Sequence, residues 1–338
     1  MALIDGDTLS PKFSSVSILQ TDYKKVNDHG IRADFLIPKS IAAEGKRPVI
    51  VQFHGGALVC GDSLYSDWFP TWIIELAEKH SAIIVSANYR MLPESTGVEI
   101  LADIDDFWRW LQTGQADSVL SSSLPTPLGL DLERVITTGE SAGGFLSVYL
   151  SLTFPDELRA GIAQYPMFNQ DGLVEDSPPS QDAEEEAQSH LPPLEVFTNH
   201  VSKMNPVDIV SSDPNNSRFL LGIAAVAHGK IAGLIEKDSD ASPIYRDRLS
   251  QLRRLDDAAT HLPRGGLVVL HGKDDPVVPS NLSERFVHVA REKLRGRQGA
   301  DNIVLSLQEG SHGFDNPVHL EEEWLQEALK TAVSTWLE

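Results

Sequence analysis

The chain has 338 residues, with 28 Lys and Arg against 49 Asp and Glu, a formal charge of −21 and a pI near 4.8. That balance excludes a nucleic-acid partner, because each phosphate contact needs a cation and an anionic polymer meets net repulsion. Hydrophobic residues at 41% and charged residues at 23% describe a chain able to bury a full core, and its one cysteine, Cys60, excludes an intrachain disulfide and fits a reducing compartment.

In chain order, 13–26 and 31–40 read as an antiparallel hairpin turned by the NDHG at 27–30. Apolar, β-branched runs follow at 47–54, 81–89, 134–140, 159–166, 265–272 and 302–310. They are continuous rather than alternating, as strands are when helices cover both faces of a parallel sheet. Between them, 67–80, 101–112, 283–294 and 320–337 place apolar residues three and four apart, the period of amphipathic helices. The alternation predicts a three-layer α/β sandwich with right-handed crossovers. It breaks between about 167 and 262, which reads as an inserted cap, leaving 1–166 and 263–338 as the core. From 160 to 202 there is no Lys or Arg, while Asp171, Glu175, Asp176, Asp182, Glu184, Glu185, Glu186 and Glu195 add eight negative charges. This stretch reads as a solvated surface segment. The later cap sequence SRFLLGIAAVAHGKIAGLI is apolar enough either to pack as plain core or to roof a pocket. No run reaches the roughly 18 apolar residues that span a bilayer, and the first thirty residues lack the apolar centre of a secretory signal. The expectation is a soluble, cytoplasmic protein.

The pentapeptide Gly139-Glu140-Ser141-Ala142-Gly143 fits G-x-S-x-G and stands between a predicted strand and a predicted helix. At such a turn the serine is forced into strained backbone and its hydroxyl projects above the sheet edge, beside the partial positive charge of a helix N-terminus. A serine hydroxyl needs a base held by a carboxylate, and in this architecture the acid and then the histidine follow in late loops. His288 lies inside a predicted helix and His319 opens the last one. His312, in the loop EGSHGFD with Gly310 and Gly313 beside it, is the expected base. For the acid, Asp274 and Asp275 compete after the strand 265–272. Pro276 pushes its predecessor into extended backbone, which favours Asp275, with Asp274 as a turn-capping neighbour. A metal site built from these two and His271 lacks further ligands at suitable spacing, so neither a metal nor a cofactor is expected. His54-Gly55-Gly56-Ala57 follows the strand 47–54, where backbone donors for an oxyanion belong. The amide of Ala142 is expected to act with those of Gly56 and Ala57, or of Gly55 and Gly56. His54 reads as a loop-orienting residue and Cys60 as a small buried filler.

The phrases HGGALVCGD, NYRMLPE at 88–94, GESAGG, GKDDPVVP and GSHGF follow one another as in the hormone-sensitive-lipase family of α/β hydrolases, and over roughly 47–338 the chain resembles these capped carboxylesterases. The resemblance implies a mainly parallel eight-stranded sheet and a cap built from the N-terminus and the long insertion. It also implies Ser141, Asp275 and His312 as a catalytic triad acting on a small-molecule ester. Ala57 stands where the family has a third glycine, Glu140 where it has Asp, and YRMLPE replaces YRLAPE. The phrase 89–111 is similar to fungal members of the fold that accompany polyketide pathways. Two other uses of the fold are weighed against hydrolysis. A plant gibberellin receptor of this kind lacks the histidine, whereas His312 is present here. The same three residues also serve acyl transfer, lactonisation, elimination or cyclisation. Related enzymes often pair through the last strand and the C-terminal helix, so a homodimer is compatible with the sequence, though nothing in it demands one.

Overall fold

The computed structural model describes residues 3–41, 44–124, 127–168, 191–205 and 207–338. Its centre is one sheet in the order β1-β2-β3-β5-β4-β6-β7-β8-β9. The strands are β1 (Leu3–Asp5), β2 (Val16–Val26), β3 (His29–Pro38), β4 (Gly45–Phe53), β5 (Ile83–Ala87), β6 (Leu128–Gly139), β7 (Ala160–Gln164), β8 (Leu267–Gly272) and β9 (Ile303–Gln308). β1, β2, β3 and β5 pair antiparallel in succession, and every pairing from β5 through β4 to β9 is parallel. The expected count of eight is therefore exceeded by one edge strand, β1, whose three residues are too short to show a period. The β2–β3 hairpin turns at Asn27 and Asp28, both at positive φ, the conformation a two-residue hairpin loop requires.

Helices cover both faces. Along β4 and β5, Ile50 and Ile84 join a core with Trp72 of α1 (Thr71–His80) and Trp336 of α11 (Glu323–Leu337). Val49, Val51, Phe53, Ile83 and Val85 point the other way, to α2 (Gly97–Gln112), α3 (Gln115–Ser123) and α4 (Ala142–Thr153). On that same face α10 (Ser280–Lys293) packs Phe286 on Val269 of β8. Successive residues thus enter opposite cores, which is why the strands read as unbroken apolar runs. Helix starts depart from their expected positions for local reasons. α1 begins only after Pro70, whose ring sets its φ and which has no N–H to donate. α2 begins four residues before the expected 101, because Thr96 and Glu99 close a reciprocal capping box.

Between β7 and β8 lie α5 (Leu194–Lys203), α6 (Phe219–Ala227), α7 (Ile231–Glu236), α8 (Pro243–Leu249) and α9 (Gln251–Arg254). Of the acidic run expected at 160–202, Glu195 is exposed in the first turn of α5 and the other seven residues lie outside the described ones. Among the described residues no single helix is long and apolar enough to cross a membrane.

Candidate active site

The loops that leave the C-terminal ends of β4, β6, β7, β8 and β9 converge, as ligand sites do in open parallel sheets. Ser141 joins β6 to α4 at φ 55° and ψ −114°, a conformation that costs about 1–3 kcal/mol and persists only where surroundings enforce it. The enforcement is visible. Ser141 N donates to Gln164 O at 2.9 Å, and Ser141 O accepts from Met167 N at 2.9 Å. The flanking glycines are obligatory: a Cβ on Gly139 would stand 2.3 Å from Gly143 O, and one on Gly143 would stand 2.0 Å from Phe53 O.

Asp275 and His312 meet from neighbouring loops, with His312 Nδ1 2.7 Å from Asp275 Oδ2. Gly310 and Gly313 take φ 131° and 79°, the freedom that bends this loop around the ring. Tyr165, itself at φ 35°, packs edge-on against His312 at 4.6 Å between ring centres. The Asp275 side chain is wholly buried, and its Oδ1 accepts from the amides of Val277 and Val278 at 2.8 and 2.9 Å. Burial alone would raise its pKa, but the hydrogen bonds from His271 and His312 outweigh it and hold the group well below the usual carboxylate range. Asp274 is exposed and makes no side-chain hydrogen bond among the described residues, so the turn-capping expected of it is performed by Asp275. Ser141 and His312 open on one cavity of about 300 Å³. Among the described residues neither the Ser141 hydroxyl nor His312 Nε2 is engaged in a hydrogen bond. Such contacts commonly tighten only when substrate is bound.

The loop after β4 corrects one expectation. The Gly55 amide is not available to a substrate, because it donates to Glu140 Oε1 at 2.8 Å, while Gln52 Nε2 holds Glu140 Oε2 at 2.6 Å. Of the two donor pairs left open by the sequence, Gly56 with Ala57 remains. Among the described residues the amides of Gly56, Ala57 and Ala142 meet no acceptor, and Gly56 and Ala57 take positive φ at the cavity wall. His54 stacks on Tyr89 with 4.4 Å between ring centres, and burial lowers its pKa to about 4, so it is a neutral structural ring. Cys60 is buried, and burial pushes its thiol up to about 12.

The α/β-hydrolase fold family matches residues 50–214. A probable carboxylesterase, M8, of a Phoma species is 28% identical over 335 residues, covering 96% of this chain and 98% of that protein. The 2-hydroxyisoflavanone dehydratase of Glycine max is 26% identical over 156 residues, 45% of this chain and 48% of that protein. In structure, an esterase of Pyrobaculum calidifontis superposes with a TM-score of 0.59 at 20% identity, over 98% of this chain and 89% of the other, a likeness of fold. The chain has the α/β-hydrolase fold. It is a carboxylesterase-type hydrolase, similar to the fungal carboxylesterase, and its motifs resemble those of the hormone-sensitive-lipase-like group.

In this hydrolase the cavity's upper wall comes from α6, through Phe219, Gly222, Ile223 and Val226, opposite Trp68 and Val277. The apolar stretch left undecided between core and roof serves as both: these residues line the cavity, while Leu221, Ala224, Ala225, Ile231 and Ile235 are buried in the main core. Arg218, directly before α6, ties it to the core: its guanidinium donates to both oxygens of Glu94 at 3.0 and 2.6 Å and to the carbonyls of Val59 and Leu92. His200 of α5 reaches the same Glu94 at 2.7 Å. Glu94 belongs to the YRMLPE phrase, so the motif that suggested the family anchors the roof. Two buried acids stand behind the serine. Burial, with the charge of Asp315 adding to it, raises Glu140 to about 8, and burial raises Asp315 to about 6. Trp72 Nε1 donates to Asp315 Oδ2 at 3.0 Å.

Proposed function

We propose that the enzyme hydrolyses small carboxylic esters through an acyl-serine, with Ser141, His312 and Asp275 as its triad and residues 167–262 as its cap. The observation that carries this reading is the 2.7 Å bond from His312 to a buried carboxylate, on a ring that shares an apolar cavity with a serine at strained φ. Ser141 Oγ attacks the ester carbonyl as His312 Nε2 takes its proton. The C–O bond to the alcohol then breaks, and His312 returns the proton to the departing alkoxide. Water attacks the acyl-serine, giving its proton to His312, which passes it to Ser141 as the acid leaves. Asp275 holds His312 in the tautomer with its hydrogen on Nδ1 and stabilises the imidazolium. The amides of Gly56, Ala57 and Ala142 hold the tetrahedral oxygen, each such donor contributing about 3 kcal/mol in the transition state. No step needs a cofactor. The cavity wall of Trp68, Phe219, Ile223 and Val226 suits an uncharged acyl or aryl group. The fungal M8 relative, together with the 89–111 phrase, supports a setting in secondary metabolism, and the unpaired Cys60 supports a reducing, cytoplasmic one.

Steady-state hydrolysis of p-nitrophenyl butyrate tests the reading. Ser141→Ala is expected to lower turnover by about four to six orders of magnitude, and retention of most of the activity contradicts it. A second reading, elimination or acyl transfer by the same residues, is favoured by the dehydratase among the relatives. Product analysis separates the two, since only hydrolysis releases a free acid with one atom of solvent oxygen.

A further inference from the structure

His271, the penultimate residue of β8, is a buried polar side chain that the proposed chemistry leaves without a task. Its ring is wholly buried. Nδ1 lies 2.7 Å from Ser283 Oγ in α10, and Nε2 lies 2.8 Å from Val278 O and 3.2 Å from Asp275 Oδ2. A carbonyl and a carboxylate both face Nε2, so that nitrogen carries the hydrogen: it donates to Val278 O, the nearer oxygen, and presents the same positive N–H edge to Asp275 Oδ2, while Nδ1 accepts from the serine hydroxyl. The oxygen that His271 shares is the one bound to His312, because Oδ1 is already held by the amides of Val277 and Val278.

We propose that His271 is a positioning residue for the triad: it pins Asp275 by the oxygen that binds His312 and draws off part of that oxygen's negative charge, limiting how strongly the carboxylate favours the imidazolium. The proposal rests on the triad reading. A carboxylate facing one positive N–H edge fewer stabilises a neighbouring cation more, so losing the 3.2 Å His271 contact makes His312 hold its proton to higher pH. The other charged or titratable groups around the pair are Glu140 at the elbow, Asp315 in the His312 loop, Tyr165 after β7, and Lys12, whose charge is felt by Glu140 and Asp315. None of them donates to Asp275 Oδ2, and all are unchanged by the substitutions below.

The test is the pH profile of kcat/KM for p-nitrophenyl butyrate hydrolysis by the full-length enzyme. In His271→Phe the ascending limb is expected to move up by about one pH unit. In His271→Gln, whose side-chain amide restores a donor, it is expected to stay within a few tenths of a unit of wild type. Ser283→Ala releases the other side of the ring with a one-atom deletion, and is expected to shift the limb the same way by less. That variant carries the test should His271→Phe fail to fold. An unmoved limb in the folded variants overturns the proposal, as does an equal shift in His271→Gln and His271→Phe. Fluorophosphonate labelling of the wild-type preparation keeps the two failures apart: no label on Ser141 removes the triad reading, whereas a labelled enzyme with an unmoved limb removes only the role of His271.

Discussion

Replacing Asp275 by Asn separates geometry from charge at the acid. The side chain is wholly buried, and its Oδ1 holds two backbone amides that an Asn oxygen keeps. The new NH2 then lies where Oδ2 was, 2.7 Å from His312 Nδ1 and 3.2 Å from His271 Nε2. Both nitrogens carry hydrogens in the working tautomer, so donor meets donor. His312 relieves the conflict by moving its hydrogen to Nε2, the nitrogen that has to accept from Ser141. A triad trapped in the wrong tautomer loses about 10⁴ in kcat, or roughly 5.5 kcal/mol of transition-state stabilisation. Folding is expected to suffer little, because both amide bonds to Oδ1 survive. The assay is kcat for p-nitrophenyl butyrate at pH 8, with the circular dichroism melt as the control for folding. Asp274→Asn, at an exposed position, is expected to stay within about twofold of wild type, since surface changes away from such features are nearly neutral. A folded Asp275→Asn enzyme with activity within tenfold of wild type contradicts Asp275 as the acid, and loss of activity in Asp274→Asn instead moves the acid by one residue.

The buried acids predict a pH-dependent melt. Glu140 rises from 4.5 to about 8 and Asp315 from 3.8 to about 6. A carboxyl whose folded pKa is raised contributes stability below its unfolded pKa and loses it as pH climbs through the folded value. Asp275 is shifted the opposite way and acts at lower pH, outside this window. Tm is therefore expected to fall between pH 5 and 8, and to fall less in Glu140→Gln/Asp315→Asn, by scanning fluorimetry; an equal or steeper fall in the double variant contradicts the assignment. At the roof, a Cβ on Gly222 would lie 3.3 Å from Cys60 Sγ and 3.8 Å from Val59 Cβ. Gly222→Leu is expected to fill the cavity and lower kcat/KM for p-nitrophenyl octanoate relative to the acetate by about tenfold or more, the scale of a lost methylene or two in an apolar pocket; an unchanged chain-length preference removes α6 from the acyl site.

The parts of this molecule that were legible in the sequence are those whose cause is local. Apolar runs announced the parallel strands because both faces of the sheet are covered, and the glycines around Ser141 and His312 announced loops that need unusual backbone. What escaped depends on partners far along the chain. Gly55 and Gly56 are equivalent as letters, and only the approach of Glu140, 85 positions later, removes Gly55 from the set of oxyanion donors. Asp274 and Asp275 were separable through Pro276, but the two amides that bind Asp275 Oδ1 give Asp275 the turn-capping role expected of Asp274 as well as its contact with His312. His271 entered the sequence reading only as a poor metal ligand; its tautomer is set by Val278 O and Ser283, which no spacing rule connects. Tyr165 and Arg218 carried no signal at all, since one packs against a ring 147 positions away and the other reaches from the insertion to Glu94, 124 positions earlier. The start of β6 at Leu128 was hidden because LGLDLE alternates Leu with Gly, Asp and Glu instead of running unbroken; its first three residues pair with Gly45–Arg47 ahead of a shift in register.

Covalent capture tests whether Ser141 is an activated nucleophile without knowledge of the natural substrate. The enzyme is incubated with a fluorophosphonate at pH 8 and the adduct is located by peptide mass spectrometry. Stoichiometric labelling is expected on Ser141, none in Ser141→Ala, and labelling slowed by orders of magnitude in His312→Ala. An unlabelled Ser141 in folded enzyme, or a label on another residue, contradicts that role.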